Sequence, residues 1–576
     1  MKASVAQINT TPGDFAGNFR RIFNCLEKES DTDVMVFPEM TICGYGVRDM
    51  LHEKGFIKKN LDTLQEIVKV SQNISYHIVV GYVDENHSGA GKKFRNMAAV
   101  IYRGNVITTY QKQLLAWTDV FDEGRWFEPG NQPCVVTIKG CRCGITICED
   151  MWNDRGQDDY NHKNNPLQIY REKNCDTILN LSSSPYYNGK PNLRKLMFKE
   201  IIDTGPIKNI VYANQYGGQD ELVFDGHSTI ICNNGRKDYI KNPIIPRGLD
   251  EVEVLTMDLD AKCFINSWNF VDDKETHASM VLLGLHDYAK KIGMTNFVVG
   301  SSGGIDSAVV IALAAMAFGP EKVHAIKMPS RWSSDHSVED ARNLHKNFGV
   351  NDYQVRIDHD PLIQHINHSM GFVIGIQNIH GNDVYNKVAD ENIQARMRGQ
   401  VVMHYSNATG ALPLTTGNKT ELALGYCTLY GDMNGGFNPI GDLYKLEVYE
   451  IAKFINNYYG KEMIPQNIID KAPSAELAPG QTDEASLLPY PILDPLVKSY
   501  IEFYNDSWGE FEDYVNNTTP NQMVVEWCND YKNKETFDRM INRIINMEFK
   551  RRQAAPCTKL TRKSFGIGRR LPIVRK

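Results

Sequence analysis

The sequence predicts an α/β protein with two domains, in which β-strands and α-helices alternate along the chain. A chain of 576 residues is too long for a single hydrophobic core, so two or more domains are expected. Short β-type apolar runs alternate with helical segments in both halves. A polar, non-periodic stretch at residues 266–276 predicts a linker, with domains at residues 1–265 and 277–576.

Composition and charge limit the classes of protein to which the chain can belong. Hydrophobic residues make up 42% and charged residues 23% of the chain, which is typical of an ordinary globular protein. The net charge of −7 argues against a general nucleic-acid binder. The longest uninterrupted apolar run, residues 308–318, is far shorter than the ~20 residues of a membrane helix, and the start lacks a signal-peptide core. The 12 cysteines lack paired metal-ligand spacing and indicate reduced thiols, so we expect a cytoplasmic protein.

The first half contains the elements of a layered α/β domain. Strands are predicted at residues 4–8, 34–38, 78–83, 98–102, 106–110, 135–138, 144–147 and 177–181, and helices at residues 18–30, 61–71, 166–173 and 192–203.

Chemically active side chains follow three of these strands: Glu39, Lys112 and Cys148. A thiol attacks an amide only as the thiolate, so it needs a base for its proton and positive charge nearby. We therefore expect Cys148 to be a nucleophile, Glu39 the base that returns the proton to leaving ammonia, and Lys112 the group that stabilises the anionic tetrahedral intermediate.

Each of these residues alone is commonly structural, but the motifs around them occur together and in order. Phe-Pro-Glu at residues 37–39, Tyr-Gln-Lys at 110–112 and Ile-Cys-Glu-Asp at 147–150 resemble the triad motifs of the nitrilase superfamily. Residues 1–265 are similar to a glutaminase of that superfamily, which implies an α-β-β-α sandwich.

The same resemblance implies that Glu123 holds the substrate amide and Lys112, and that Ser182 and Ser184 bind glutamine. Residues 115–118 depart from the family pattern, so the glutamine contacts of that loop stay open.

The second half is organised around a strand-to-helix turn, Ser-Gly-Gly-Ile-Asp-Ser at residues 302–307. Its glycines let backbone N–H groups approach an anion at the start of a helix, and its aspartate can hold a cation beside phosphate. The turn resembles the pyrophosphate loop of adenylating amidotransferases and ligases, and the chain lacks the Gly-x-x-x-x-Gly-Lys-Ser/Thr loop of kinases and GTPases. This difference points to chemistry at the α-phosphate of ATP.

Further strands at residues 323–329 and 353–357 predict a parallel sheet buried on both faces, with ligands at the carboxyl ends of its strands. A second strand-turn-helix, residues 412–421, supplies Thr415, Thr416, Lys419 and Glu421. Asp306 and Glu421 are predicted to share Mg²⁺, which prefers a few carboxylates together with phosphate oxygens. Lys419 is predicted to face the phosphates.

Longer motifs in this half, such as residues 391–396, 415–423, 425–432 and 474–484, resemble the NAD⁺ synthetase family across residues 277–576. The resemblance implies amidation of deamido-NAD⁺ through an acyl-adenylate, with ATP and Mg²⁺, in a homo-oligomer. It also implies two groups of binding residues: for ATP, Ser302, Gly303, Gly304, Asp306, Ser307, Met328, Arg331, Thr416 and Lys445; for deamido-NAD⁺, Asn392, Arg396, Glu421, Asp432 and Lys559.

Three questions stay open at this point. The pyrophosphate loop also serves other adenylating amidases, such as GMP and asparagine synthetases. The first half could be a non-catalytic scaffold that only positions the synthetase. The basic tail, residues 550–576, could be a solvated or nucleic-acid-binding segment, although the resemblance implies that residues 564–570 pack near the substrate phosphates.

Overall fold

The protein is described from a computed structural model that covers residues 1–154, 162–232, 237–260, 273–369, 388–474, 476–478, 481, 483, 487–518 and 521–574. The chain forms two compact units, Met1–Lys291 and Ile292–Lys576, and both contain the predicted mixture of helices and strands. Across the described residues, no helix combines the length and the apolar character that crossing a membrane requires.

The first unit contains two six-stranded sheets and a separate hairpin. Its strands are β1 (Lys2–Gln7), β2 (Val34–Val36), β3 (His77–Glu85), β4 (Phe94–Tyr102), β5 (Asn105–Gln111), β6 (Val135–Ile138), β7 (Cys141–Ile147), β8 (Thr177–Ser182), β9 (Asn209–Asn214), β10 (Tyr216–Gln219), β11 (Leu222–Asp225), β12 (Thr229–Cys232), β13 (Lys237–Tyr239) and β14 (Glu253–Asp258). The sheet orders are β14-β1-β2-β3-β4-β5 and β13-β12-β9-β8-β7-β6, and β10 pairs with β11. The helices are α1 (Phe15–Lys28), α2 (Phe56–Val70), α3 (Pro166–Glu172), α4 (Lys190–Asp203) and α5 (Asp273–Lys291).

Successive side chains along each strand point to opposite faces of the sheet, and this alternation produces the layers of the unit. Ala3 and Val5 of β1 lie in one buried cluster with Ile145 and Ile147 of β7, so the two sheets face each other. The opposite face of the first sheet packs against α1 and α2, and that of the second sheet packs against α3 and α4. The predicted α-β-β-α sandwich is confirmed.

Helix α5 lies in the first unit, whereas the sequence assigned residues 277–291 to the second domain. Asp287 is fully buried, and its carboxylate accepts from Gly218 N at 2.7 Å. The Lys291 ammonium donates to Asn9 Oδ1 and Thr10 O, each at 2.8 Å. This buried polar network holds the helix to the first unit, so the compact units divide at residues 291–292. Residues 266–272 of the predicted linker lie outside the described part of the chain.

The second unit contains a four-stranded sheet with parallel pairing throughout. Its strands are β15 (Phe297–Ser301), β16 (Val323–Lys327), β17 (Asn351–Gln354) and β18 (Leu412–Leu414), in the order β17-β16-β15-β18. Its helices are α6 (Ile305–Phe318), α7 (Asp335–Phe348), α8 (Asp360–Ser369), α9 (Val388–Thr409), α10 (Lys419–Leu424), α11 (Lys445–Tyr459), α12 (Gln466–Asp470), α13 (Tyr490–Phe503), α14 (Trp508–Thr518), α15 (Gln522–Cys528), α16 (Lys534–Asn546) and α17 (Glu548–Arg551).

The sheet differs from the prediction at one edge. The strand predicted at residues 353–357 is β17, which ends at Gln354 and leaves Tyr353 41% exposed. The expectation of burial on both faces is therefore wrong for this strand, because it lies at the edge of the sheet. In contrast, the apolar helix α6 behind the phosphate loop is buried along most of its length, as expected.

Candidate active sites

Glu39, Lys112 and Cys148 converge at one end of the sandwich in the first unit. They follow β2, β5 and β7, and each is at most 5% exposed. The Lys112 ammonium lies 2.7 Å from Glu39 Oε1 and 2.8 Å from Glu123 Oε2. The two sheets thus bring together three side chains that lie far apart in sequence, within a site closed to bulk water.

The backbone at Cys148 is strained in a way that presents the thiol. Its φ of 43° lies in the left-handed region, which a residue with a side chain rarely adopts. The turn connects the end of β7 to a 3₁₀ helix, Cys148–Asp154. Such strain persists only where neighbouring contacts hold it.

Asp150 supplies those contacts. Its buried carboxylate accepts from Ile147 N at 2.9 Å, on one side of Cys148, and from Gln113 N at 3.1 Å and Leu114 N at 2.8 Å, just after Lys112. The Tyr110 hydroxyl donates to it as well, at 2.8 Å. A single carboxylate therefore fixes the cysteine turn relative to the lysine loop.

We expect Asp150→Asn to lower kcat/KM for glutamine hydrolysis by ~10- to 100-fold, because an amide group turns one acceptor into a donor that faces backbone N–H groups. Synthesis from free ammonia should keep its wild-type rate. Steady-state kinetics with both nitrogen donors checks this. Asp62→Asn, whose side chain is 58% exposed on α2, is the matched control, and equal kinetics for the two variants would contradict the positioning role.

Burial sets the protonation of the three groups. It raises the pKa of Glu39 to about 7, against the effect of the Lys112 ammonium. It also raises the pKa of the Cys148 thiol, and the Glu39 carboxylate adds to that shift. The pKa of Lys112 is well above its ordinary value, since Glu123 and Glu39 outweigh burial. At neutral pH the thiol is therefore protonated, and the ionised fraction of Glu39 can take its proton.

Around the triad, sequence reasoning missed the groups that orient Glu39. Asn96 Nδ2 donates to Glu39 Oε1 at 2.7 Å, and Ser183 N donates to Oε2 at 3.1 Å. Neither lies in a triad motif, although Ser183 lies between the predicted glutamine-binding residues Ser182 and Ser184. Both are brought to Glu39 by neighbouring strands of the two sheets.

The predicted glutamine-binding residues are buried near this point. Both oxygens of Glu123 are engaged: Tyr45 hydroxyl donates to Oε1 at 2.8 Å, and Ala116 N donates to Oε2 at 3.0 Å. Ser182 Oγ donates to Asn180 Oδ1 at 2.6 Å, while Ser184 N donates to Asn214 Oδ1 at 2.9 Å. Their contacts with glutamine stay a prediction.

The second unit has a cavity of about 290 Å³ at the carboxyl ends of its parallel strands. Predicted residues that line it are Ser302, Gly304, Asp306, Ser307, Met328, Thr415, Thr416, Glu421, Asp432 and Lys445. Gly303 lies behind the wall with a φ of 80°, and a Cβ there would lie 2.2 Å from Ser337 O. A glycine is required at this position, since any side chain would displace the start of α7.

Lys445 contacts both of the carboxylates that are predicted to bind the metal ion. Its ammonium contacts Asp306 Oδ2 and lies 3.4 Å from Glu421 Oε1. Burial raises the pKa of Glu421 to about 8, opposed by Lys445 and supported by Asp306. The Asn418 amide donates to Asp306 Oδ1 at 3.0 Å. Two carboxylates that share one cation at the cavity wall are suited to a divalent ion.

Lys419 does not lie at the cavity, where the sequence predicted it to face the phosphates. Its side chain is fully buried and does not line the cavity. The ammonium lies 2.9 Å from Asp442 Oδ1 and donates to Lys563 O at 2.6 Å. It is therefore a structural cation that ties α10 to the tail, and of the two predicted lysines Lys445 is the one that lines the cavity.

Several predicted binding residues lie away from the cavity wall. Arg331 pairs with Asp360, and its side chain is 51% exposed. Arg396 Nε donates to Leu429 O at 3.2 Å, and Asn392 Oδ1 accepts from Thr428 Oγ1 at 2.7 Å. Lys559 is 1% exposed and donates to Thr561 O at 2.6 Å. In the tail, Arg569 lies over the rings of Tyr500 and Tyr504, 4.7 and 5.8 Å from their centroids. The expectation that residues 564–570 pack near the substrate phosphates stays a prediction.

Other charged residues line the cavity without having been assigned to it. Burial lowers the pKa of Arg398, and its Nε donates to Met328 O at 3.1 Å. Lys471 pairs with Glu476 at 2.8 Å. The sequence does not display this position of Arg398, because the burial of its helix face is a tertiary property.

Comparisons with known proteins show the family to which each half of the chain belongs. Residues 2–237 match the carbon-nitrogen hydrolase family, and residues 278–554 match the NAD synthase family. The chain is 34% identical to the glutamine-dependent NAD(+) synthetase of Thermotoga maritima, over 100% of this chain and 99% of that protein. It is 35% identical to that of a Synechocystis species, over 99% and 98%. A solved glutamine-dependent NAD+ synthetase from Acinetobacter baumannii, in complex with ADP, is 31% identical, with a TM-score of 0.71 over 100% of this chain and 98% of that one.

Proposed function

Since the chain belongs to the glutamine-dependent NAD⁺ synthetases, and thus makes NAD⁺ from deamido-NAD⁺ with nitrogen from glutamine, we propose that it divides the reaction between the two sites described above. The single observation that carries this division is that each unit contains its own complete chemical set: a thiol with base and lysine in the first, and a phosphate-type loop with paired carboxylates in the second. Relatives aligned over the full chain favour this function over the other adenylating amidases.

In the first unit, Cys148 attacks the amide carbon of glutamine. Glu39 takes the thiol proton and transfers it to the departing ammonia, so that a thioester forms and ammonia leaves. The Lys112 ammonium stabilises the oxyanion of the tetrahedral intermediate. Water, deprotonated by Glu39, then cleaves the thioester to glutamate and restores the thiol.

This mechanism predicts an acid limb in the pH profile of glutamine hydrolysis. Glu39 must be ionised to act as a base, and burial raises its pKa to about 7, so kcat/KM should fall as pH drops through about 7. Asn96→Ala removes a donor to the carboxylate and should shift the limb to higher pH. Initial rates of glutamate release across the pH range test both points. A limb at the ordinary pKa of glutamate, unmoved in the variant, would speak against Glu39 as the base.

In the second unit, the nicotinate carboxylate of deamido-NAD⁺ attacks the α-phosphorus of ATP and releases pyrophosphate. Adenylation gives the carboxylate a leaving group, and ammonia then displaces AMP to form the amide. Lys445 and the N–H groups of the Ser302–Ser307 loop are placed to stabilise charge on the phosphates. The Acinetobacter baumannii relative was solved in complex with ADP, which supports adenine-nucleotide binding by this chain.

Asp306 and Glu421 would hold Mg²⁺. Both line the cavity, and their contacts with one ammonium indicate that they can share a cation. Two protein carboxylates suit Mg²⁺, which takes its other ligands from phosphate and water. When bound, the ion neutralises charge on the phosphate oxygens.

Product analysis tests the function directly. Protein supplied with ATP, magnesium, deamido-NAD⁺ and amide-¹⁵N glutamine should place the label in the nicotinamide of NAD⁺. Xanthylate and aspartate should neither replace deamido-NAD⁺ nor compete with it. Assembly into a homo-oligomer stays a prediction.

A further inference from the structure

A serine, a histidine and an aspartate form a hydrogen-bonded chain at the wall of the nucleotide cavity. Ser301 is the last residue of β15 and lines the cavity directly before the phosphate loop. Its Oγ lies 2.9 Å from His345 Nε2 on α7, and His345 Nδ1 lies 2.7 Å from Asp352 Oδ1 on β17. None of the three takes part in the reaction steps given above.

The protonation of the chain fixes the direction of its hydrogen bonds. Bonds from Lys327 and His345 hold the pKa of Asp352 below its ordinary value, although burial opposes them, so it is a carboxylate and can only accept. Burial lowers the pKa of His345 despite Asp352, so the imidazole is neutral at pH 7. Its single proton therefore lies on Nδ1, and Nε2 can only accept.

Ser301 must then donate its hydroxyl proton to His345. Toward the cavity, the Ser301 oxygen can then only accept a hydrogen bond, through its remaining lone pair. The neighbouring loop presents N–H and hydroxyl groups that suit phosphate, whereas phosphate oxygens would be repelled at Ser301. Apolar Val338 and Ala341, which lie on α7 within two turns before His345, also line the cavity.

We propose that Ser301 is an acceptor subsite for an N–H or O–H donor on the nucleoside part of ATP, and that His345 and Asp352 are positioning residues that fix its polarity. The donor is either the adenine amino group or a ribose hydroxyl, since these are the N–H and O–H groups of a nucleoside. The inference rests on the proposed function of the cavity and deepens it by assigning how the nucleoside is recognised.

The decisive test couples a change in the protein to a change in the ligand. Wild type and Ser301→Ala are assayed for ammonia-dependent synthesis with ATP, with 2′-deoxy-ATP, with 3′-deoxy-ATP and with purine riboside triphosphate, which lacks the amino group. Ser301→Ala should raise KM for ATP roughly 3- to 10-fold with little change in kcat. For the analogue that lacks the bound donor, KM should be the same in the wild type and in Ser301→Ala. Ser301→Thr, which keeps a hydroxyl, should show the wild-type KM for ATP and for each analogue.

His345→Leu provides a second and independent readout. Without the imidazole, the Ser301 proton can turn toward the cavity, so KM for ATP should rise as it does in Ser301→Ala. In the wild type, protonation of His345 should have the same effect, so KM for ATP should rise as pH falls through the histidine titration. The charged groups that face the imidazole are Asp352 and Lys327. This pH-dependent rise should be missing in His345→Leu.

His324→Leu is the matched control. His324 Nδ1 also bonds a hydroxyl, that of Tyr405 at 2.9 Å, but it does not line the cavity. The control should keep the wild-type KM, analogue pattern and pH profile. If Ser301→Ala raised KM equally for ATP and all three analogues, the proposal would be overturned. The hydrogen bonds among Ser301, His345 and Asp352 would then be purely structural. A wild-type protein that fails to make NAD⁺ would instead overturn the proposed function.

Discussion

Cys148→Ala is expected to lower NAD⁺ synthesis from glutamine by ~10³-fold or more and to leave synthesis from free ammonia close to the wild-type rate. The variant loses the nucleophile, and neither Glu39 nor Lys112 can replace it, because a carboxylate and an ammonium buried against each other form no thioester. The second unit has its own nucleotide cavity, so added ammonia should still reach an activated carboxylate. Rates of NAD⁺ formation with each nitrogen donor measure both expectations.

Cys143→Ala is the matched control for this change. Cys143 lies on β7, the strand that Cys148 follows, is fully buried in the core between the sheets, and takes no part in the triad. It should lose some stability but keep its use of glutamine. If Cys148→Ala removed synthesis from ammonia as well, while Cys143→Ala did not, the proposed division of labour between the two units would be wrong.

The triad of the first unit could be predicted because its members follow recognisable strands. Glu39, Lys112 and Cys148 come at the ends of apolar runs, and the motifs around them occur together and in the order of the nitrilase superfamily. Tyr45 and Asn96 could not be predicted in this way. Asn96 lies inside β4, where a polar residue in a strand pattern usually faces solvent, and only the packing of the layers brings it to Glu39.

In the second unit, the same reasoning located the phosphate loop but misassigned a lysine. Lys419 directly follows a polar turn that contains two threonines, which is the position expected of a phosphate ligand. The side chain instead turns to Asp442 in the protein interior, because the orientation of α10 sends the first helical residue away from the cavity. That orientation depends on the helices that pack around it, and local sequence does not encode it.

Lys445→Met is expected to lower synthesis from either nitrogen donor by ~10²–10³-fold while glutamine hydrolysis continues. Methionine keeps much of the volume but removes the positive charge between Asp306 and Glu421. The pKa of Glu421, already about 8, would then rise further, so this side chain would be protonated at neutral pH and could no longer share a cation with Asp306. Pyrophosphate release measures the adenylation step, and glutamate release measures the first unit.

Lys419→Met separates this catalytic effect from the general cost of removing a buried lysine. Both lysines are at most 2% exposed and pair with carboxylates, but only Lys445 lines the cavity. Loss of Lys419 leaves Asp442 buried without its cation, so the variant should unfold at lower temperature and yet keep KM for ATP in the folded fraction. A loss of adenylation in Lys419→Met as large as that in Lys445→Met, at equal folded fraction, would mean that charge at the cavity wall does not govern the reaction.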